Sequence, residues 1–185
     1  IVAPTAPPQN VTAMALSSTS IYVTWQPPPP GTLQGFLHHY EVFLEYHADN
    51  GPTMTLYTPD GNTSLLVSSL SPHTVYYFTV QMVNIKGLGP PSEAVYNRTL
   101  EDVPGPAIIE QVRNISSTIL EVRWQHPKKT NGILKSFKVC WSLEGVQGGT
   151  YLAPGTLYTL TGLGPWNEYA IQIACESAGG LGPTS

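Results

Sequence analysis

His38-His39 is the most chemically suggestive pair in this chain, because imidazole can act as a base, a nucleophile or a metal ligand. On a strand, neighbouring side chains point to opposite faces, so the two rings are not expected to share an ion. No Cys or carboxylate completes a ligand motif beside them. Serine and threonine are plentiful, yet none sits in a Gly-x-Ser-x-Gly nucleophile elbow. Gly87-Leu-Gly-Pro90 and Gly180-Leu-Gly-Pro183 are not followed by a helix that could receive a phosphate, so they read as turns. The expectation is a chain with no catalytic residues, no cofactor and no metal centre.

Charge narrows the partners. Charged residues are 11% of the chain and the formal net charge is −4, well below the usual charged share of about 25%. His126-Pro-Lys128-Lys129 is the one cationic cluster, and its two lysines make at most a weak polyanion patch. Nucleic-acid binding needs a clustered Lys/Arg surface, and none is present. No run of about 18 apolar residues exists, so direct membrane insertion of this segment is not expected. Asn10, Asn62, Asn97 and Asn114 each begin an Asn-x-Ser/Thr sequon, where composition alone predicts roughly one or two. The excess points to a secreted or cell-surface glycoprotein. Asn62 follows Asp60-Gly61 in a loop and is the best acceptor, whereas Asn97 shares the inward face of Val95.

The elements that would position these residues are strands. Ile21-x-Val23-x-Trp25, Tyr40-x-Val42-x-Leu44 and Tyr76-x-Phe78-x-Val80-x-Met82 place every second side chain on one face. Leu120-x-Val122-x-Trp124, Phe137-x-Val139-x-Trp141 and Tyr169-x-Ile171-x-Ile173-x-Cys175 repeat the pattern. Turn signals lie between them at Pro27–Gly31, Asp49–Pro52, Pro59–Gly61, Asn131-Gly132 and Gly148-Gly149. Tyr76 and Tyr169 are 93 residues apart, as are the two Gly-Leu-Gly-Pro runs. That spacing fits a small autonomous domain present twice. Short alternating strands between turns describe antiparallel β-sandwiches, so the fold class is all-β.

Both halves resemble fibronectin type III domains. The resemblance rests on Trp25 and Trp124, on Leu70-x-Pro72-x-x-x-Tyr76 and on Leu163-x-Pro165-x-x-x-Tyr169. It implies an immunoglobulin-like sandwich of sheets A-B-E and C′-C-F-G, with Trp25, Tyr76, Trp124 and Tyr169 as structural core. Each Tyr would form a tyrosine corner. The boundaries it suggests are 1–100 for one domain, 101–106 for a short proline-rich linker and 107–185 for the other. The junction Leu100–Pro106 is similar to linkers in large animal cell-surface receptors. Neither F–G loop carries Arg-Gly-Asp. The implied role is an extracellular, non-catalytic spacer and protein-interaction segment of an adhesion or receptor protein, with a protein ligand or neighbouring receptor domains as partners. An accessory module of a secreted microbial enzyme and a cytoplasmic muscle-type filament repeat are the rival readings.

Two expectations concern single features. Val139 and Trp141 carry the inward pattern, so Cys140 faces outward, while Cys175 shares the face of Ile171 and Ile173. Opposite faces separate the sulfurs, so both are expected as free thiols. The second copy has no counterpart of Glu93–Leu100 after Gly180-Leu-Gly-Pro183. It is therefore expected to lack its last strand, leaving strand F as an edge, and the natural chain is expected to continue.

Overall fold

Apolar residues at every second position favour strands, and every regular element of the computed structural model is a strand. The structure describes residues 2–46, 53–58 and 61–185, and the chain divides into units Ile1–Leu100 and Glu101–Ser185. The turns expected at Asp49–Pro52 and Pro59-Asp60 lie outside the described residues.

The first unit contains β1 (Gln9–Ser17), β2 (Ser20–Gln26), β3 (Leu37–Tyr46), β4 (Met54–Thr58), β5 (Ser64–Val67), β6 (Val75–Asn84), β7 (Gly87–Leu88) and β8 (Val95–Arg98). One sheet runs β1-β2-β5. The other runs β4-β3-β6, with β7 and β8 on successive stretches of the far edge of β6. The second unit contains β9 (Ile108–Ser116), β10 (Ile119–Gln125), β11 (Ser136–Leu143), β12 (Val146–Ala153), β13 (Leu157–Leu160), β14 (Tyr169–Ser177) and β15 (Gly180–Thr184). Its sheets are β13-β10-β9 and β12-β11-β14-β15. Both units are antiparallel sandwiches with the same strand order.

Each core closes between the sheets. In the first, Trp25 of β2 meets Tyr40 of β3 edge to face at 5.4 Å. In the second, Trp124 of β10 meets Phe137 of β11 in the same way at 5.6 Å. Around them pack Ile21, Val23, Val42, Phe78 and Val80, and in the other unit Val122, Val139, Leu160 and Ile173. The Tyr76 hydroxyl accepts a hydrogen bond from Ser71 N at 2.8 Å, and the Tyr169 hydroxyl accepts one from Gly164 N at 2.7 Å. The tyrosine therefore pins the chain five residues upstream of itself while its ring joins the core.

Two expectations need correction, and the bare edge expected at strand F of the second unit needs qualifying. Part of that edge is paired. Gly180, in the left-handed region with φ of 118°, turns the chain back so that β15 pairs with Ala174, Glu176 and Ser177. Ser185 N then bonds Ile173 O at 2.9 Å. One half of the β14 edge is thus covered, as β7 covers the matching half of β6.

Gly148-Gly149 is not a turn but the middle of β12. The turn is Glu144-Gly145, with φ of 49° and 81°. The glycines are needed because the Trp141 ring lies over them, and a Cβ on either would collide with the indole.

Residues 101–106 belong with the second unit rather than forming a free linker. Asp102 N bonds Asn131 O and Gly105 N bonds Lys129 O, both at 2.9 Å. This segment is the counterpart of the start of the first unit, where Thr5 N bonds Thr32 O at 3.0 Å.

Two separate cores make a direct prediction. Trp25→Ala and Trp124→Ala should each lower the stability of their own unit by roughly 3–5 kcal/mol. The other unit should be little changed, since distant sites act nearly independently. Denaturant unfolding followed through residues unique to each unit measures both. Equal losses in the two transitions would contradict the two-core architecture.

Candidate functional site

In the lettering of the sandwich, β2 and β10 are strand B, β3 and β11 strand C, β6 and β14 strand F, and β7 and β15 open strand G. The repeated Gly-Leu-Gly-Pro runs hold the F–G end of each unit together. The first glycine makes the turn: Gly87 and Gly180 have φ of 129° and 118°, a region open to glycine at little cost. The second glycine makes room. A Cβ on Gly89 would lie 2.7 Å from Pro4 Cβ, and one on Gly182 would overlap the carbonyl oxygen of Pro104. Each unit thus lays its own first residues against its F–G segment. Asn84 Nδ2 fastens this contact in the first unit by donating to Val2 O and Leu33 O, at 2.8 and 3.0 Å. Ser177, 93 positions later, does so in the second by donating to Asp102 O at 2.9 Å. Glu101 Oε2 accepts from Ile133 N of the B–C loop at 3.2 Å and from Ala178 N of the F–G loop at 3.1 Å. Its carboxylate braces the two loops.

The sequons differ in how free their amides are. Asn62 is exposed, just before β5. Asn10 is exposed on β1, with Nδ2 donating to Gln26 Oε1 at 2.7 Å. Asn114 is exposed on β9 opposite Leu120. Asn97 is half-buried on β8, its Nδ2 donates to Ala13 O at 2.8 Å, and the hydroxyl of its sequon partner Thr99 donates to Ser71 O at 2.7 Å. Both recognition groups of that sequon are spent inside the fold.

The two histidines lie together, against expectation. A β-bulge between Leu37 and His39 breaks the alternation of β3 against β6, so the rings share one side with Nδ1 atoms 2.5 Å apart. His126, Lys128 and Lys129 are exposed on the B–C loop. The His126 ring packs on Phe137 at 5.4 Å, while the Lys129 carbonyl is taken by Gly105 N. The loop backbone is thus tied down and the lysine side chains are left in solvent.

Both cysteines are free. Cys175 is 0% exposed, opposite Phe137, and burial pushes its thiol pKa up. Cys140, opposite Gln172, is half-buried with Sγ 3.6 Å from Thr150 Oγ1.

Two surfaces set the units apart. On the outer face of β1-β2-β5, Met14, Tyr22 and Leu66 form one cross-strand row. Met14 and Leu66 are 56% and 54% exposed, with Leu16 beside them at 50%. The matching row of the second unit is Arg113, Glu121 and Thr159, with Arg113 Nη1 3.6 Å from Glu121 Oε1. The second unit also has a cavity of about 390 Å³ lined by Asn114, Leu120, Gly164, Trp166 and Tyr169. In the first unit Thr99 and Leu100 take the matching place. Leu100 N bonds Ser17 O and His73 N bonds Leu100 O.

A fibronectin type III domain profile matches residues 6–98 and 106–185. Protein sidekick-1 of Gallus gallus is 36% identical over 187 residues, covering 97% of this chain and 9% of that protein. Tyrosine-protein phosphatase Lar of Drosophila melanogaster is 34% identical over 195 residues, covering 98% and 9%. Receptor-type tyrosine-protein phosphatase F of Mus musculus is 32% identical, covering 98% and 10%. The chain therefore spans about a tenth of the length of these relatives.

The two thiols should differ in reactivity. Native protein should lose Cys140 to a thiol reagent well before Cys175, and denatured, unreduced protein should titrate two thiols. Fast modification of Cys175 in the native state would contradict its burial. The glycine contacts give a second expectation. Gly182→Ala should destabilise the second unit by about 1–3 kcal/mol, the usual range for overpacking. Gly89→Ala should cost the first unit less, because the added carbon approaches Pro4 Cβ to 2.7 Å, a milder overlap than the one Gly182→Ala makes with the Pro104 carbonyl oxygen. Melting temperatures of the two variants measure this order.

Proposed function

Because both halves of the chain belong to the fibronectin type III family, we propose that it is a non-catalytic extracellular segment of an adhesion or receptor protein, acting as spacer and protein-contact surface. The observation that carries the contact role is the apolar row Met14–Tyr22–Leu66. Its counterpart in the second unit is a charged pair, so the sandwich does not require exposed apolar side chains there. Exposed apolar side chains clustered on one face are the usual mark of a protein-binding surface. The spacer role is supported by two independently cored units whose first residues are each fastened to their own domain. The catalytic activity in the names of the phosphatase relatives is not carried over, because the chain matches about a tenth of their length. The cell-surface reading is supported by the receptor-type relative and by the three sequons whose asparagines stand exposed.

Glycosylation tests the extracellular reading. Secreted from animal cells, the chain should lose mass on enzymatic glycan removal. Asn62→Gln should abolish a large part of that loss, and Asn97→Gln should leave it unchanged. Absence of any mass change would overturn the glycoprotein assignment. Hydrolase activity in the purified chain would overturn the non-catalytic one.

A further inference from the structure

The pair His38 and His39 carries more than the sandwich needs. The rings meet at 70° with centroids 4.8 Å apart and Nδ1 atoms 2.5 Å apart. Two bare nitrogen lone pairs repel at that separation, and two N–H groups would clash, so the contact is an N–H of one ring donating to the lone pair of the other. The neighbours decide which ring supplies it. His39 Nε2 is 3.3 Å from Glu41 Oε1, and a carboxylate accepts, so His39 carries its hydrogen on Nε2 and has a lone pair on Nδ1. His38 Nδ1–H is then the donor to His39 Nδ1. Glu41 and His39 are held in place, with side chains only 15% and 20% exposed. Tyr57 packs edge-on against the His39 ring at 5.5 Å. His38 is exposed and leaves the pair open to solvent.

We propose that this pair is a binding site for a borderline divalent metal ion of the Zn²⁺ class, held by the Nδ1 atoms of His38 and His39. Imidazole nitrogen suits such ions. On binding, the His38 hydrogen passes from Nδ1 to Nε2 by way of solvent, so both rings stay neutral and offer a lone pair at Nδ1, and His38 swings out so that both nitrogens reach the usual Zn–N distance of roughly 2.0–2.1 Å. Glu41 acts from outside the ligand set. By accepting from Nε2–H it fixes the His39 tautomer with Nδ1 free, the usual service of a carboxylate behind a ligating histidine. Among the described residues no group of three or more His, Cys, Asp or Glu is placed to hold a metal, so water fills the remaining positions. The site is therefore open and exchangeable, and the fold does not depend on it.

Calorimetric titration of the full chain with ZnCl₂ tests the assignment. The wild-type protein should bind one ion per chain at this pair. His38→Ala and His39→Ala should each weaken binding by more than about tenfold, and Glu41→Gln by about tenfold. His38→Ala removes an exposed side chain and should leave the melting temperature unchanged, which separates loss of the site from loss of the fold. Zn²⁺ binding that survives His38→Ala at full strength would move the site elsewhere and overturn the proposal. So would a wild-type chain that binds no Zn²⁺ at millimolar concentration.

Discussion

The edge-to-face contact between a strand-B tryptophan and a strand-C aromatic is the constraint on which each unit is built. Trp25 against Tyr40 and Trp124 against Phe137 bridge the two sheets at their thickest side chains, and both tryptophans are almost wholly buried. An aromatic pair of this geometry contributes beyond its buried area. It also sets the distance between the sheets, so the smaller residues around it, Val23 and Val42 in one unit and Val122 and Val139 in the other, fill what is left. Both indole N–H groups are buried with no hydrogen-bond partner among the described residues. A buried donor left unmade costs free energy, and both units retain it. The burial of the ring evidently outweighs the loss of that bond.

What the tryptophans do for the middle of each sandwich, the first residues do for its end. Val2, Pro4 and Thr5 lie against the B–C and F–G segments of the first unit, and Asp102, Pro104 and Gly105 repeat the arrangement. In most of these contacts a backbone group of the leading segment is held, by another backbone group or by a polar side chain. They tolerate side-chain change and demand glycine wherever two main chains come close. This accounts for the persistence of Gly-Leu-Gly-Pro in two copies whose surfaces have otherwise diverged, as the Met14–Tyr22–Leu66 and Arg113–Glu121–Thr159 rows show.

Period-two alternation made most of the fold legible. Ile21, Val23 and Trp25, or Tyr76 through Met82, state their strand and its inward face without help from the rest of the chain. Legibility failed where one local feature has two physical causes. Gly148-Gly149 reads as a turn because glycine favours turns, yet here it gives clearance to a tryptophan seven and eight residues earlier in the chain. Pro104-Gly-Pro106 reads as a linker because proline stiffens connections, yet its backbone is paired. His38-His39 reads as two opposite faces because strands alternate, and a bulge of one residue reverses that conclusion. A bulge depends on how β3 meets β6, which no local window contains. The sequons stood in plain view, but whether an amide is free, as at Asn62, or bonded inward, as at Asn97, is a property of the folded strand pair.

The way the first residues are fastened has a mechanical consequence. A pull on the chain enters each unit through its leading segment, and the bonds it meets first are Thr5 N to Thr32 O and Asn84 Nδ2 to Val2 O in one. In the other they are Ile133 N and Ala178 N to Glu101 Oε2, Asp102 N to Asn131 O, Ser177 Oγ to Asp102 O, Asn131 Nδ2 to Val103 O and Gly105 N to Lys129 O. Each is a single hydrogen bond of modest net strength. They can peel open under load while the β1-β2 and β9-β10 ladders and the aromatic core stay intact. Every repeat thus carries a short sacrificial length that yields before the barrier to forced unfolding of the sandwich is reached.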